Sequence, residues 1–252
     1  MTSNATDPTS PSASWAIERT HLRAAAFFGL CPFALTVFII ALGTFPYPEN
    51  SLNAQLYIDY VLRNHTGEVD PLLWGVALGT MLVFVIHLAV AYMRQAGRVT
   101  ASGLTMVACM VLTTGVSVIV MGFFGATAMF ERGFGTKPAD LRFITFIWDT
   151  MDVAYNSSLV PLVMMWIAVI VANRRNPILP RALGLWGAAV AALANFIALG
   201  SVFINGGHWS AGGAYSFILH AAPTFGWVTI TSVYLLRKTA KFAATPSGER
   251  GQ

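Results

Sequence analysis

The chain has 252 residues, 56% of them hydrophobic and only 10% charged, with a formal net charge of +4. That balance excludes an ordinary soluble domain and leaves too little polar chain for a second one. The basic residues stand at alternate ends of apolar runs rather than in a patch, which excludes a nucleic-acid surface.

Residues 1–22, with Ser3, Thr6, Pro8, Thr9, Ser10, Pro11 and Ser12, carry little apolar surface and read as a disordered cytoplasmic tail. Stretches without a formally charged residue then follow at 24–48, 71–93, 99–130, 153–173 and 182–236. A glycine-rich turn, Asn205-Gly206-Gly207-His208-Trp209-Ser210, divides the last into two. Each piece has the roughly 20 residues a helix needs to cross a hydrocarbon core. The expectation is therefore an all-α fold: a polytopic transmembrane bundle of six helices over residues 23–238, with a cytoplasmic tail at 239–252. Arg19 and Arg23 ahead of the first run raise a cleavable signal segment, but the run is long for one, and a retained helix is expected.

Lys and Arg concentrate at cytoplasmic ends, while acidic residues contribute little to orientation. With both termini inside, eleven of the 15 basic residues are cytoplasmic, leaving Arg63, Arg132, Lys137 and Arg142 outside. The inner turns at 94–98 and 173–181 are short, and Pro177 and Pro180 forbid a continuous helix through the second. The longer outer connection at 44–70 carries Leu52, Leu56 and Tyr60 at i, i+4, i+8, which suits either a short interfacial helix or an irregular loop. Asn64-His65-Thr66 within it fits a glycosylation acceptor, relevant only in a eukaryotic secretory pathway. Cys31 and Cys109 both lie in apolar runs, so no disulfide framework is indicated.

Ionisable groups inside a bundle are costly and mark candidate sites. Asp149, Asp152 and Asn156 recur at i, i+3, i+7 on one helical face at the opening of the fourth span. One reading makes Asp149 an N-cap and Asp152 a partner of the helix dipole. The other makes them, with His220, an outward-facing ligand pocket. At about 1.5 Å rise per residue, Asn156 and His220 lie at similar depth, and Pro223 frees the carbonyl of Leu219 beside them. A second set, His87, Met106, Cys109 and Met110, stands near the inner turn between spans two and three and combines donors suited to a soft metal such as copper(I). Ordinary packing explains the same residues, since Met and buried Cys fill gaps and a span histidine can bond a hydroxyl such as Thr105. His87 and His220 lie at opposite depths and should not bracket one haem.

Gly75-x-x-x-Gly79 and Gly187-x-x-x-Ala191 allow close helix approach, and Asn195 extends the latter face as a hydrogen bonder. No nucleotide-binding glycine loop, paired-histidine protease motif or Cys-x-x-Cys occurs. Leu179-Pro180-Arg181-Ala182-Leu183-Gly184-Leu185-Trp186-Gly187, after a helix opening with Asp149 to Asn156, resembles a junction recurrent in uncharacterised six-helix bacterial integral membrane proteins of unknown function. The resemblance covers the carboxyl-terminal half and implies a bacterial inner-membrane protein, with no activity to carry over.

The sequence thus leads to a multi-pass membrane protein that binds a small molecule or lipid or supports a membrane partner, with a homo-oligomer as one form of that. Enzymatic activity is not expected and no cofactor is indicated. A proton-coupled transporter gated by Asp152 and His220 is the alternative, and a metal- or haem-binding redox protein the third.

Overall fold

A computed structural model describes residues 11–41, 69–131, 141–204, 207–211 and 213–244. Among these there is no strand. The helices are α1 (Pro11–Ala41), α2 (Val69–Gln95), α3 (Ala101–Glu131), α4 (Leu141–Ser157), α5 (Leu159–Arg175), α6 (Ala188–Leu199) and α7 (Ala214–Ala244). A π-helical turn, Ala182–Gly187, leads into α6, and a 3-10 turn, Gly200–Phe203, ends it.

Five of the helical stretches are long and apolar enough to cross a membrane: Glu18–Ile39, Leu72–Gln95, Ala101–Phe123, Asp149–Arg175 and Ala182–Phe203. Only 33% to 44% of each is buried within the chain. Phe27, Leu72, Ile119, Trp186 and Phe196 lie on the uncovered faces, an apolar surface far larger than a soluble monomer shows. The molecule is a multi-pass helical membrane protein. The remaining long helix, α7, has 31 residues, but Ser216, His220, Thr224, Thr231 and Ser232 dilute its hydropathy. All of these are buried, so α7 turns its polar side toward the bundle interior.

The helices form a ring in chain order: α1 packs on α2, α2 on α3, α3 on α5, α5 on α6, α6 on α7, and α7 closes back on α1. Two aromatic layers fill the ring. Trp74 meets Phe217 and Phe225 at centroid distances of 5.6 and 6.1 Å. Farther along the helices, Trp227 meets Trp166 at 4.8 Å and Phe84 at 6.1 Å.

The amino-terminal expectation is corrected. Helix α1 begins at Pro11, whose ring suits a first helical position, and Leu22, Ala25 and Ala26 are buried in the core. Packing of α1 against α2 and α7 orders residues whose own composition would not. The membrane-length stretch of the fourth span opens at Asp149, as expected, but the capping reading is corrected. Helix α4 is under way from Leu141, so Asp149 and Asp152 lie inside it and neither is an N-cap. Within the span only Ser158 leaves the regular helix. Pro161 has no N–H to offer the Ser157 carbonyl, while the Ser158 N–H keeps the helical bond to the Ala154 carbonyl and shares it with that of Tyr155, so the span is interrupted at one residue without being cut. The segment with Leu52, Leu56, Tyr60 and Asn64 lies outside the described residues.

The Leu179–Gly187 junction has a local physical basis. Asn173 mimics a backbone partner: its Nδ2 donates to the Leu179 carbonyl at 3.1 Å and its Oδ1 accepts the Leu179 N–H at 2.9 Å. Tyr92 adds its hydroxyl to the same Oδ1 at 2.9 Å. A Cβ on Gly184 would collide with Asn173, and one on Gly187 would press the Trp227 ring at 2.8 Å. Trp227 also donates its indole N–H to the Leu183 carbonyl at 2.8 Å, which accepts the Ala188 N–H of the π turn as well. By contrast, a Cβ on Gly75 or Gly79 would meet nothing within 4 Å, so that small-residue face is not used within the chain.

Candidate functional site

Between the two aromatic layers lies a small void of about 30 Å³. Its polar lining is Thr113 and Ser117 from α3, Tyr155 and Ser158 from the interrupted span, and His220 and Thr224 from α7. Leu78, Met81, Met110, Leu162 and Phe225 supply apolar walls. Along α2 the order Trp74, Leu78, Met81, Phe84 runs from one aromatic layer through the void to the other. Along α7, His220 and Phe225 border the void, between Phe217 and Trp227. The void therefore sits midway along these helices as a partly open, mainly apolar space with hydroxyls at its edge.

Hydrogen bonding fixes the roles of the polar groups. His220 Nδ1 is 2.9 Å from the Ser216 carbonyl, which can only accept, so Nδ1 carries the proton. In the neutral ring Nε2 is then an acceptor, and the Tyr155 hydroxyl donates to it at 2.8 Å. Ser158 donates to the Tyr155 carbonyl at 2.6 Å, and Thr113 donates to the Ser158 carbonyl at 3.2 Å, so α3 holds the break in place. Thr224 accepts from Asn195 Nδ2 at 3.0 Å, while the buried Asn195 Oδ1 has no partner. Ser117 is 1% exposed and borders the void. A void of this size holds one or two water-sized groups with several hydroxyls within reach, the combination buried water requires.

The residues expected from sequence are distributed differently. His220 is in the site, but its partner is Tyr155, not Asn156. Asn156 is a stitch near one end of the bundle: Nδ2 donates to the carbonyls of Asp152 and Ala211 at 2.8 and 3.1 Å, and Oδ1 accepts from Ser201 at 3.1 Å. Asp149 is exposed and Asp152 partly so, and neither lines the void. Of the soft-donor set, only Met110 lines it. Met106 is buried in the core, and Cys109 is a partly buried free thiol against it. His87 pairs with His21, Nδ1 to Nδ1 at 2.9 Å, with Phe28 stacked at 6.4 Å. No cluster of three or more His, Cys, Asp or Glu suited to a metal occurs among the described residues.

Tyr155, Ser158, Thr113, Ser117 and Thr224 are thus site residues that sequence reasoning passed over. Hydroxyls in a span are weak signals, since each can satisfy itself on its own helix. Pro161 was the usable clue, because a proline inside a span frees a carbonyl and marks a break.

These features define a multi-pass helical bundle with a small, partly open void, edged by hydroxyls, at a span interrupted at Ser158. The chain matches no family model, no curated protein and no solved structure.

Proposed function

We propose that the protein is a six-span integral membrane protein, with both termini cytoplasmic, that binds a small polar molecule in the void between the aromatic layers. The observation that carries this reading is the convergence of a span interrupted at Ser158 and a proline-bearing helix on one small space bordered by hydroxyls. Irregular backbone inside a membrane persists where it is buried in protein or lines a cavity. Its placement near the middle of the helices, where small-molecule sites of membrane bundles commonly form, agrees with this. The orientation rests on the excess of Lys and Arg at one set of helix ends. The resemblance of the Leu179–Gly187 junction favours a bacterial inner membrane.

In this reading the void is the closed state, and the two halves of the interrupted span hinge about Ser158 to admit the ligand. Tyr155 and His220 read its hydrogen-bonding pattern, and Ser117 and Thr224 complete the polar set. Native mass spectrometry of gently solubilised protein tests it. The expected result is a small bound molecule on the wild type that Ser117→Ala and Tyr155→Phe lose. A wild type free of bound molecules across mild detergents, or equal retention by both variants, overturns the reading.

A further inference from the structure

We infer that the void is also a site for a soft monovalent metal ion of the Cu(I) or Ag(I) type, held by Met81, Met110 and His220. The inference deepens the ligand-site reading above and rests on it for the use of the same space. Two thioethers and an imidazole reach the void from three different helices, α2, α3 and α7. They are among the most buried side chains of the molecule, at 1%, 0% and 5% exposure.

Three features of the lining point to a soft monovalent ion. Thioether sulfur selects Cu(I) over harder ions, and imidazole accepts the same metal. No carboxylate or thiolate lines the void, so every donor is neutral. A buried divalent charge would go uncompensated there, whereas a single positive charge costs far less to bury. His220 is also held as metal-binding histidines are held, with its second ring nitrogen anchored on a backbone carbonyl, here that of Ser216 at 2.9 Å. That anchor leaves Nε2 as the ligating atom, and the Tyr155 hydroxyl now bonded to it turns aside when an ion enters. About 30 Å³ admits one ion and not a cluster. The set shares only Met110 with the group near the inner turn, since Met106, Cys109 and His87 do not line the void.

The test is anaerobic titration of the full-length protein in detergent with ascorbate-reduced Cu(I), and separately with Ag(I), reading metal per chain by elemental mass spectrometry. The wild type should retain one ion per chain. Met81→Leu with Met110→Leu should weaken retention by about tenfold or more. Its melting profile should stay close to wild type, because Met and Leu are nearly equal in volume. No Cu(I) on the wild type, undiminished Cu(I) on the double-leucine variant, or loss on His87→Ala or Cys109→Ser overturns the metal site. The two readings separate cleanly. An organic ligand without Cu(I) uptake sinks the metal alone, and Cu(I) uptake without any organic ligand sinks the small-molecule reading alone.

Discussion

The Tyr155 hydroxyl and His220 Nε2 meet at 2.8 Å across the bundle, joining the carboxyl-terminal end of α4 to the first turns of α7. The pair is the junction between the interrupted span and the proline-bearing helix, and it forms one wall of the void.

Removing it separates a structural role from a binding one. Tyr155→Phe keeps the ring contact, at a centroid distance of 5.5 Å, but leaves the buried Nε2 without its donor. The expected loss is about 1–3 kcal/mol of stability, read as a lower melting temperature in detergent. A hydroxylated ligand that replaces the missing donor should restore much of it. Unchanged melting would show that the bond contributes nothing.

Tyr92 and Asn173 form a counterpart at another level of the bundle, 2.9 Å apart. Asn173→Ala orphans both backbone groups of Leu179 as well as the Tyr92 hydroxyl, and should cost about 1–3 kcal/mol or more. Tyr92→Phe alone should cost less, since Asn173 keeps Leu179. A double-mutant cycle should give a coupling of about 0.5–2 kcal/mol, and additive losses would rule the network out.

Asp152 now lies one turn after Asp149 inside α4, where like charges repel. Asp152→Asn should therefore leave stability unchanged or raise it by a few tenths of a kcal/mol. A favourable pairing of the Asp152 charge with the helix dipole would have produced a loss, so the sign of the change in melting temperature decides between them.

Lys238 supplies the pH test at the end of α7, beyond the apolar part of the helix. Partial burial lowers its pKa from the ordinary 10.5, and the nearby Glu18 carboxylate partly offsets that. Its Nζ donates to the Ile178 carbonyl at 2.9 Å. A lysine depressed in the folded state carries a penalty while both states are protonated, and that penalty fades as pH rises through the folded value toward the unfolded one. Stability relative to Lys238→Met should thus improve on going from neutral pH toward 10.5, and Glu18→Gln should enlarge the neutral-pH deficit. A pH-independent difference between wild type and Lys238→Met would contradict this.

Much of the architecture was legible because it depends on local quantities. Runs such as 71–93 and 99–130 are long, apolar and uncharged whatever their surroundings, and any such run in water must be covered by lipid or by protein. The proline pairs at 177 and 180 stop a helix by the chemistry of the ring itself. The amino-terminal part of α1 was not legible, because Leu22, Ala25 and Ala26 are buried by the packing of α1 on α2 and α7, a tertiary condition.

The site was legible only in part. His220 stands out as an imidazole in an apolar run, and Asn156 as an amide, but two polar residues at equal depth need not face each other. Helix rotation decided that Tyr155 takes His220 while Asn156 takes Ser201 and Ala211. By itself the sequence determined a helical membrane protein, the positions of its turns and the asymmetry of its basic residues, since composition and spacing carry those. Only the tertiary structure decided which polar groups meet, because Tyr155 and His220 are 65 residues apart and Tyr92 and Asn173 are 81 apart. Such partners are chosen by how helices rotate and cross when their backbones pack, a three-dimensional condition that no local pattern encodes.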